Sequence, residues 1–369
     1  MKSIKTIRSL VLLLMLAAGA AACSKHDDIT PAVWNGEIRL SSEISSQVKT
    51  PTSDVPNDQQ IAAGQIVRFF VDNAGTNGSS ATPLYENYLV TANGSGGFTK
   101  CNAQEADMCY PATGNVDIYA FQINTVGSST VLPTNTTPLT HSVSPDQCLN
   151  YGENYLKSDL LYAANKGVQR SDNAVQMKFY HLLSKVEVAL KTGEPCLTNA
   201  VVTIENTRLK ANFQPDKSAD INDATSGQAA RAKMITLPTD DADSNPPASI
   251  TLATALSTDF TTYASAVVVP QKMTKGSHFI KVQPNGVAPL YYTLPEDLNL
   301  ESGKKYQFKI TVNLTKLTVE TSTITNWESG KSSDVIAIIP IGSKDIAFAR
   351  IGDFYFSDGT IESGDNTLT

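Results

Sequence analysis

One stretch, Val175 to Leu190, constrains the fold more than any other part of the chain. Its apolar and polar side chains alternate up to His181, which is the period-two pattern of a strand with one buried face. Around Ser184 and Lys185 the pattern slips by one residue, and every later side chain then points to the opposite face. A strand needs such a slip when it leaves one sheet and enters another. The sequence therefore predicts a junction between two β domains near these residues.

The rest of the chain also consists largely of short β-rich runs, which are separated by clusters of Pro, Gly, Asp and Asn. Helical periodicity is nearly absent before residue 154, and Val126 to Asn154 is expected to be a long surface excursion. The longest alternating run spans Tyr306 to Leu314. Many short strands separated by turns favour β-sandwiches. The other predicted strands are Trp34–Ser42, Gly64–Val71, Pro83–Thr91 and Gly97–Lys100 (a hairpin through Asn93-Gly94), Asn115–Ile123, Val201–Asn206, Leu209–Phe213, Lys233–Leu237, Ser249–Ala253, Tyr263–Val269, Phe279–Val282 and Leu290–Leu294.

The amino-terminal residues are typical of an export signal. Three basic residues precede an apolar run, Leu10 to Ala22, which is shorter than the about 20 residues that a membrane span requires. Ala20 to Cys23 resembles a lipobox, so we expect a signal peptide over 1–22, lipidation of Cys23 and a tether over 23–33. The lipid would hold the protein on the outer membrane at the cell surface without a spanning helix. Ordinary cleavage that leaves Cys23 as a plain thiol is the alternative.

The mature chain is acidic and long enough for two domains. Cleavage after residue 22 leaves 347 of 369 residues and removes three of the 29 basic ones, so 26 Lys and Arg face 36 Asp and Glu, a net charge of −10. This balance disfavours a nucleic-acid partner. The remaining cysteines allow two disulfides in three pairings, of which we favour Cys101–Cys109 within one loop. The other two are Cys148 and Cys196.

No sequence pattern indicates catalysis, a metal or a cofactor. Ser46–Lys49, Ser171–Asn173 and Lys191–Gly193 match the order of three serine β-lactamase elements, but that mechanism needs its Ser at a helix start and all three elements at one site. Here Ser46 has no helical surroundings, and one extended run separates the other two elements. The four histidines show no metal-ligand spacing. We therefore expect a protein that is not an enzyme.

Several motifs occur together in one order along the chain. They are Asn115–Phe121, Ser158–Ala163 followed by Val175–Leu190, Val267–Gln271, Leu300–Tyr306 and Ile324–Trp327. Together they resemble the fimbrillin-like family of Bacteroides-type bacteria, over about Trp34 to Gly342. The resemblance implies an all-β fold of two tandem transthyretin-like Greek-key β-sandwich domains, 34–174 and 175–342. Residues 343–369 would then be a tail that resembles the opening of a further module.

The same resemblance implies a function. Family members are exported as lipoproteins and assemble into fimbriae by donor-strand exchange, in which a strand of the next subunit replaces a removed first strand. The removable strand would be Trp34–Ser42, with cleavage after Lys49 in the loop that follows. The donor strand would lie in Val335–Ile341 and use Val335, Ile336, Ile338, Ile339 and Ile341. Because the chain continues beyond Gly342, a tip or accessory subunit fits slightly better than a stalk subunit.

The expected partners are other fimbrial subunits, either copies of this chain or paralogues, and the outer membrane through the lipid. Host or bacterial surface glycans or proteins would be contacted in adhesion. The alternative is a monomeric surface lipoprotein that binds glycans beside a nutrient-uptake system. Its candidate stacking residues are Tyr85, Tyr88, Tyr151 and Tyr155.

Overall fold

The computed structural model describes residues 34–44, 60–76, 83–123, 132–134, 136–149, 152–197, 199–238, 245–253 and 256–327, and the backbone of residues 335–338. Nearly all regular structure in these ranges is β, as the sequence predicted. The helices found there are α1 (Glu153–Ser158) and α2 (Gly227–Lys233). Neither is long or apolar enough to cross a bilayer.

The strands up to His181 alternate buried and exposed residues or are buried on both faces. They are β1 (Leu40–Ile44), β2 (Ile66–Asn73), β3 (Tyr85–Ala92), β4 (Phe98–Lys100), β5 (Val116–Gln122), β6 (Leu139–Ser142), β7 (Asp146–Gln147), β8 (Leu161–Val168) and β9 (Val175–His181). The predicted hairpin is confirmed, because β3 and β4 pair antiparallel around Asn93 and Gly94.

The strands after His181 are shorter on average, apart from three long ones in one sheet. They are β10 (Ser184–Thr192), β11 (Ala200–Thr207), β12 (Lys210–Phe213), β13 (Ile235–Thr236), β14 (Ala248–Leu252), β15 (Leu256–Ser257), β16 (Ala264–Val268), β17 (Gln271–Met273), β18 (His278–Pro284), β19 (Leu290–Thr293), β20 (Leu298–Leu300), β21 (Lys304–Val312), β22 (Leu317–Asn326) and β23 (Val335–Ile338).

The predicted change of sheet is confirmed. β9 belongs to a seven-stranded sheet with the order β1-β9-β8-β5-β2-β3-β4. β10 belongs to a second sheet, β15-β10-β21-β22-β23, in which β16 also pairs with β10. Pairing therefore passes from one sheet to the other between His181 and Ser184. The division into domains at residues 174 and 175 stays a prediction.

Two early strands pair with late ones, which corrects the surface excursion expected before Asn154. β6 pairs antiparallel with β12 in the sheet β13-β12-β6, and β7 pairs parallel with β14 in the sheet β19-β18-β11-β14-β7. β17 and β20 form a separate two-stranded ladder. Residues from both halves of the chain thus share sheets.

The strand predicted at Lys233–Leu237 is largely wrong. Its first residue ends helix α2, and only Ile235–Thr236 is β. The helix sequence is rich in Ala, Arg and Lys, which favour helix. The carboxylate of Asp223 accepts hydrogen bonds from the amides of Thr225 and Ser226 at 3.0 and 2.6 Å, and these bonds shape the turn that leads into the helix.

The seven-stranded sheet is buried on both faces at its centre. Phe69, Ile118 and Phe179 lie on one face, in a core that includes the amino-terminal segment. On the opposite face, Phe121 contacts Phe213 of β12 edge-on, with ring centroids 5.4 Å apart, in a core shared with the later sheets. This double burial explains why β5 is buried at all seven positions rather than alternating.

Residues 214–234, here called the cover segment, lie across that second face. Lys217 pairs with the buried Asp72 of β2 at 3.0 Å, and its ammonium lies 4.9 Å from the centre of the Tyr119 ring. Arg231 lies over Tyr180 of β9 at 3.8 Å. The cover segment therefore fastens the later half of the chain to the first sheet by charged as well as apolar contacts.

Candidate assembly interface

The first strand lies in a slot rather than on an open edge. β1 pairs in parallel with β9 over five residue pairs. On its other side, the amide of Ser42 donates to the carbonyl of Gly96 at 2.7 Å, and the amide of Ile38 donates to that of Met108 at 2.7 Å. We call this space, bounded by β9 on one side and by Gly96 and Met108 on the other, the first-strand slot.

Alternate side chains of the first strand form one wall of the core. Ile38, Ser42 and Ile44 are each only 3–4% exposed, and Leu40 packs against the same cluster. The close approach of the β3–β4 turn requires glycine at 96, where φ is +85° and a Cβ would lie 2.8 Å from the Ser42 carbonyl. The slot is therefore shaped to fit one extended strand.

Side chains anchor the entry to this strand. Trp34 is held by the Arg170 guanidinium, 4.9 Å from its ring centre, and by an edge contact with Tyr110, with centroids 6.2 Å apart. Its indole N–H donates to the carbonyl of Glu37 at 3.0 Å. Sequence analysis did not identify Arg170 as an anchor, because 136 positions separate it from Trp34 and no local pattern joins them.

The candidate donor strand is partly described. Its first four residues form β23, which pairs antiparallel with β22 through three residue pairs and ends that sheet. Ile339 and Ile341 lie outside the described residues. The backbone of Val335–Ile338 thus adopts strand geometry on a sheet of its own chain.

The two sheets meet at a buried group of three side chains, Asp159, His181 and Trp327, which we call the joint. The His181 ring stacks on Trp327 with centroids 3.8 Å apart and planes 4° apart, and its Nδ1 donates to Oδ1 of Asp159 at 3.1 Å. Their exposures are 0% for Asp159, 1% for His181 and 4% for Trp327. His181 therefore has a structural hydrogen bond.

Backbone hydrogen bonds link the same region. The amide of Trp327 donates to Gly303 at 2.8 Å, and the amide of Gly303 donates to Leu183 at 2.8 Å. The amide of Leu182 donates to Leu160 at 3.0 Å. The end of β22 is thereby tied to the residues where the chain changes sheets.

A buried ion pair lies beside the joint on β10. Lys185 contacts Glu187 at 2.8 Å, and Gln307 donates to the same carboxylate at 2.7 Å. Burial opposes ionisation of Glu187, but the nearby Lys185 and Lys305 ammonium groups and these hydrogen bonds outweigh it and lower the pKa of Glu187. These contacts therefore favour the carboxylate form of Glu187 inside the sheet.

The structure corrects the tyrosines offered as a glycan platform. Tyr88 is 5% exposed and Tyr155 is 1% exposed, so neither can present a ring to a sugar. Burial, with smaller contributions from nearby carboxylates, raises the pKa of Tyr88 to about 12. The Tyr85 hydroxyl accepts the amide of Cys109 at 2.8 Å, and Tyr151 lies outside the described residues. Packing, rather than ligand stacking, explains the buried pair, Tyr88 in strand β3 and Tyr155 in helix α1.

The favoured Cys101–Cys109 disulfide stays a prediction, and in the structure the two side chains are not bonded to each other. Cys101 lies beside Thr91 at the far end of β3, with its Sγ 3.2 Å from the hydroxyl. Cys109 lies near the start of that strand, where its amide reaches Tyr85. The two cysteines are therefore held along different parts of β3.

The remaining predicted residues have no structural test. Cys23, the lipidation candidate, and Lys49, the cleavage candidate, lie outside the described residues. Ser171–Asn173 precedes β9 and Lys191–Gly193 follows at the end of β10, so two consecutive strands separate them. Across the described ranges, no group of three or more His, Cys, Asp or Glu side chains could hold a metal ion.

Comparison with known proteins identifies a family and similar folds. A family model described as fimbrillin-like matches residues 53–327. A crystal structure of a cell adhesion protein from Bacteroides ovatus superposes with a TM-score of 0.57 at 18% identity, covering 79% of this chain and 97% of the other. A cell adhesion protein from Bacteroides uniformis gives 0.53 at 18% identity, covering 80% and 99%. No curated protein matches the chain.

Proposed function

Because the chain belongs to the fimbrillin-like family, we propose that it is a subunit of a cell-surface fimbria, assembled by strand exchange and contributing to adhesion. The observation that carries this proposal is the first-strand slot. A strand that pairs in parallel on one side and bonds to the loop backbone of Gly96 and Met108 on the other can be replaced without dismantling the sheet behind it.

Export and anchoring complete the proposal. The basic start, the short apolar run and Cys23 support a lipoprotein precursor held on the outer membrane, and cleavage after Lys49 would release the first strand. Val335–Ile341 of a neighbouring subunit would then fill the slot. The residues beyond Gly342 favour a tip or accessory position over the stalk.

The first test is assembly of purified mature protein, before and after mild trypsin, run unboiled on a denaturing gel. We expect a ladder of multimers after trypsin that disappears on boiling and when Val335–Ile341 is deleted. Deletion of residues 343–369 is the matched control and should leave the ladder intact. A monomer under every condition, including with other fimbrial subunits added, would favour the monomeric glycan-binding lipoprotein.

Amino-terminal sequencing of protein from cells tests the processing steps. A modified Cys23 before assembly and a new start after Lys49 afterwards are expected. Replacing Cys23 with Ala should release the protein from the membrane. Unchanged membrane association of that variant would show that Cys23 does not carry the anchor.

A further inference from the structure

The first-strand slot has a size pattern along its length. Its inward positions are occupied in order by Ile38, Leu40, Ser42 and Ile44, which read large, large, small, large. Ser42 lies opposite Met177 of β9. Its buried hydroxyl has no hydrogen-bond partner, so this position would hold a small apolar side chain at lower cost than Ser.

The candidate donor sequence matches this pattern in one direction only. Its odd-numbered residues, Val335, Ala337, Ile339 and Ile341, read large, small, large, large along the chain. Read backwards, they become large, large, small, large. Only the reversed strand fills all four inward positions while placing its small residue at the small position of the slot; a parallel strand with Ala337 at Ser42 leaves the position of Ile38 unfilled.

We propose that Val335–Ile341 from a second copy of this chain enters the slot antiparallel to β9, opposite in direction to β1, with Ala337 at the position of Ser42. This inference rests on the proposed strand exchange and adds its direction and register. Ile341 then takes the position of Ile38, and Val335 that of Ile44.

Two physical features favour the reversed strand. A parallel ladder such as β1–β9 is slightly less stable per residue than an antiparallel one, so reversal improves the backbone pairing. Replacing the unpartnered hydroxyl of Ser42 by the methyl of Ala337 also removes a buried unsatisfied group. Pro340, which lacks an amide hydrogen, falls at Arg39, just outside the ladder that begins at Leu40.

Disulfide trapping tests the direction. In β9, Gln176 and Lys178 flank Met177 and lie opposite Ser41 and Glu43. Both strand directions can be compared with Ala337 placed opposite Met177. In an antiparallel strand, Ile338 then lies opposite Gln176. In a parallel strand, Ile336 lies opposite Gln176 instead. Paired cysteines directly across a ladder are close enough to link.

Each variant carries one acceptor and one donor cysteine in a chain whose five native cysteines, Cys23, Cys101, Cys109, Cys148 and Cys196, are changed to Ser. After mild trypsin and oxidation, Gln176→Cys with Ile338→Cys and Lys178→Cys with Ile336→Cys should give covalent ladders that survive boiling. The exchanged combinations, Gln176→Cys with Ile336→Cys and Lys178→Cys with Ile338→Cys, are the matched controls and should give few multimers.

Register is tested by Ala337→Leu, which should reduce the unboiled ladder by roughly tenfold or more because the site of Ser42 is too small. Ile338→Leu, on the opposite face, should not change it. A ladder with links only in the exchanged combinations, or in neither set, would overturn this inference and leave strand exchange standing. Absence of any ladder from the parent chain, alone and with other fimbrial subunits added, would instead overturn the proposed function.

Discussion

The joint and the first-strand slot hold their strands in opposite ways. At the joint, aromatic stacking, a buried hydrogen bond and backbone bonds converge on Trp327, which is 4% exposed. In the slot, a five-pair ladder and a few loop contacts hold β1, and its anchor Arg170 lies exposed at the surface. A subunit that exchanges a strand must stay folded while that strand leaves. Its stability should therefore be concentrated at the joint rather than in the slot.

Trp327→Ala is the change with the largest expected effect. It leaves a cavity against His181 at the meeting point of the two sheets, and we expect the free energy of unfolding to fall by about 3–5 kcal/mol. The free energy of unfolding of a typical domain is about 5–15 kcal/mol, so this loss is a large part of it. Equilibrium unfolding in urea, followed by fluorescence and circular dichroism, measures the loss.

Tyr291→Ala is the matched control for this variant. Tyr291 is also an aromatic residue stacked on a histidine, His278, but it is 40% exposed. Its loss should stay below about 1 kcal/mol. Equal losses of unfolding free energy in the two variants would mean that the joint contributes no more to stability than an aromatic stack at the surface.

Much of the structure around the joint could be predicted from the sequence, because the patterns that indicate it are local. The slip of hydrophobic register at Ser184 and Lys185 correctly indicated the change of sheet. The alternation from Tyr306 gave β21, which pairs with the strand β22 that ends beside Trp327. Outside the joint, the turn at Asn93-Gly94 gave the hairpin. Each of these depends on neighbours within a few residues, where side-chain periodicity and turn chemistry act.

Only part of the slot could be predicted from the sequence, because its walls come from distant parts of the chain. The first strand was predicted at Trp34–Ser42, whereas its ladder with β9 runs over Leu40–Ile44, and residues 36–38 bond instead to the backbone of Met108 and Tyr110. Nothing near Gly96 or Met108 in the sequence shows that their carbonyls meet β1. Long-range pairing of this kind leaves no periodic trace.

The pH dependence of stability gives a second, smaller test of the joint. His141 is fully buried beside it, with Nε2 2.8 Å from the Ser158 carbonyl, and burial lowers its pKa below the ordinary 6.5. The unfolded chain therefore binds a proton near pH 6.5 that the folded chain binds only at lower pH. The stabilisation of the folded state that this histidine contributes is complete above pH 6.5. It is lost as pH falls, at up to about 1.4 kcal/mol per pH unit.

Urea unfolding at intervals from pH 7.5 to pH 5 measures this slope, and His141→Gln should flatten it. His278→Gln, at an exposed histidine, is the control and should leave the slope as in the parent. Both variants keep the other side chains of the joint unchanged, so the difference between their slopes isolates His141. A slope that His141→Gln does not change would remove this residue from the pH response of the joint.

Arg170→Ala should have the smallest effect, confined to the slot. It removes the cation over Trp34 and the two hydrogen bonds, 3.4 Å long, to the carbonyls of Tyr110 and Pro111. At an exposed site this contact is worth about 0.5–1 kcal/mol, which corresponds to roughly two- to fivefold faster hydrogen exchange of β1 amides. Exchange at the joint should be unaffected, because opening of β1 does not require the sheets to separate.

Amide exchange followed residue by residue distinguishes this local opening from general weakening. Lys272→Ala, which removes an exposed ion pair with Asp297, is a control expected to leave β1 exchange unchanged. If Arg170→Ala accelerated exchange at Leu182 as much as at Ser42, the slot and the joint would open as one unit. Strand exchange would then require unfolding of the junction, and the first strand could not be replaced while the rest of the subunit stays folded.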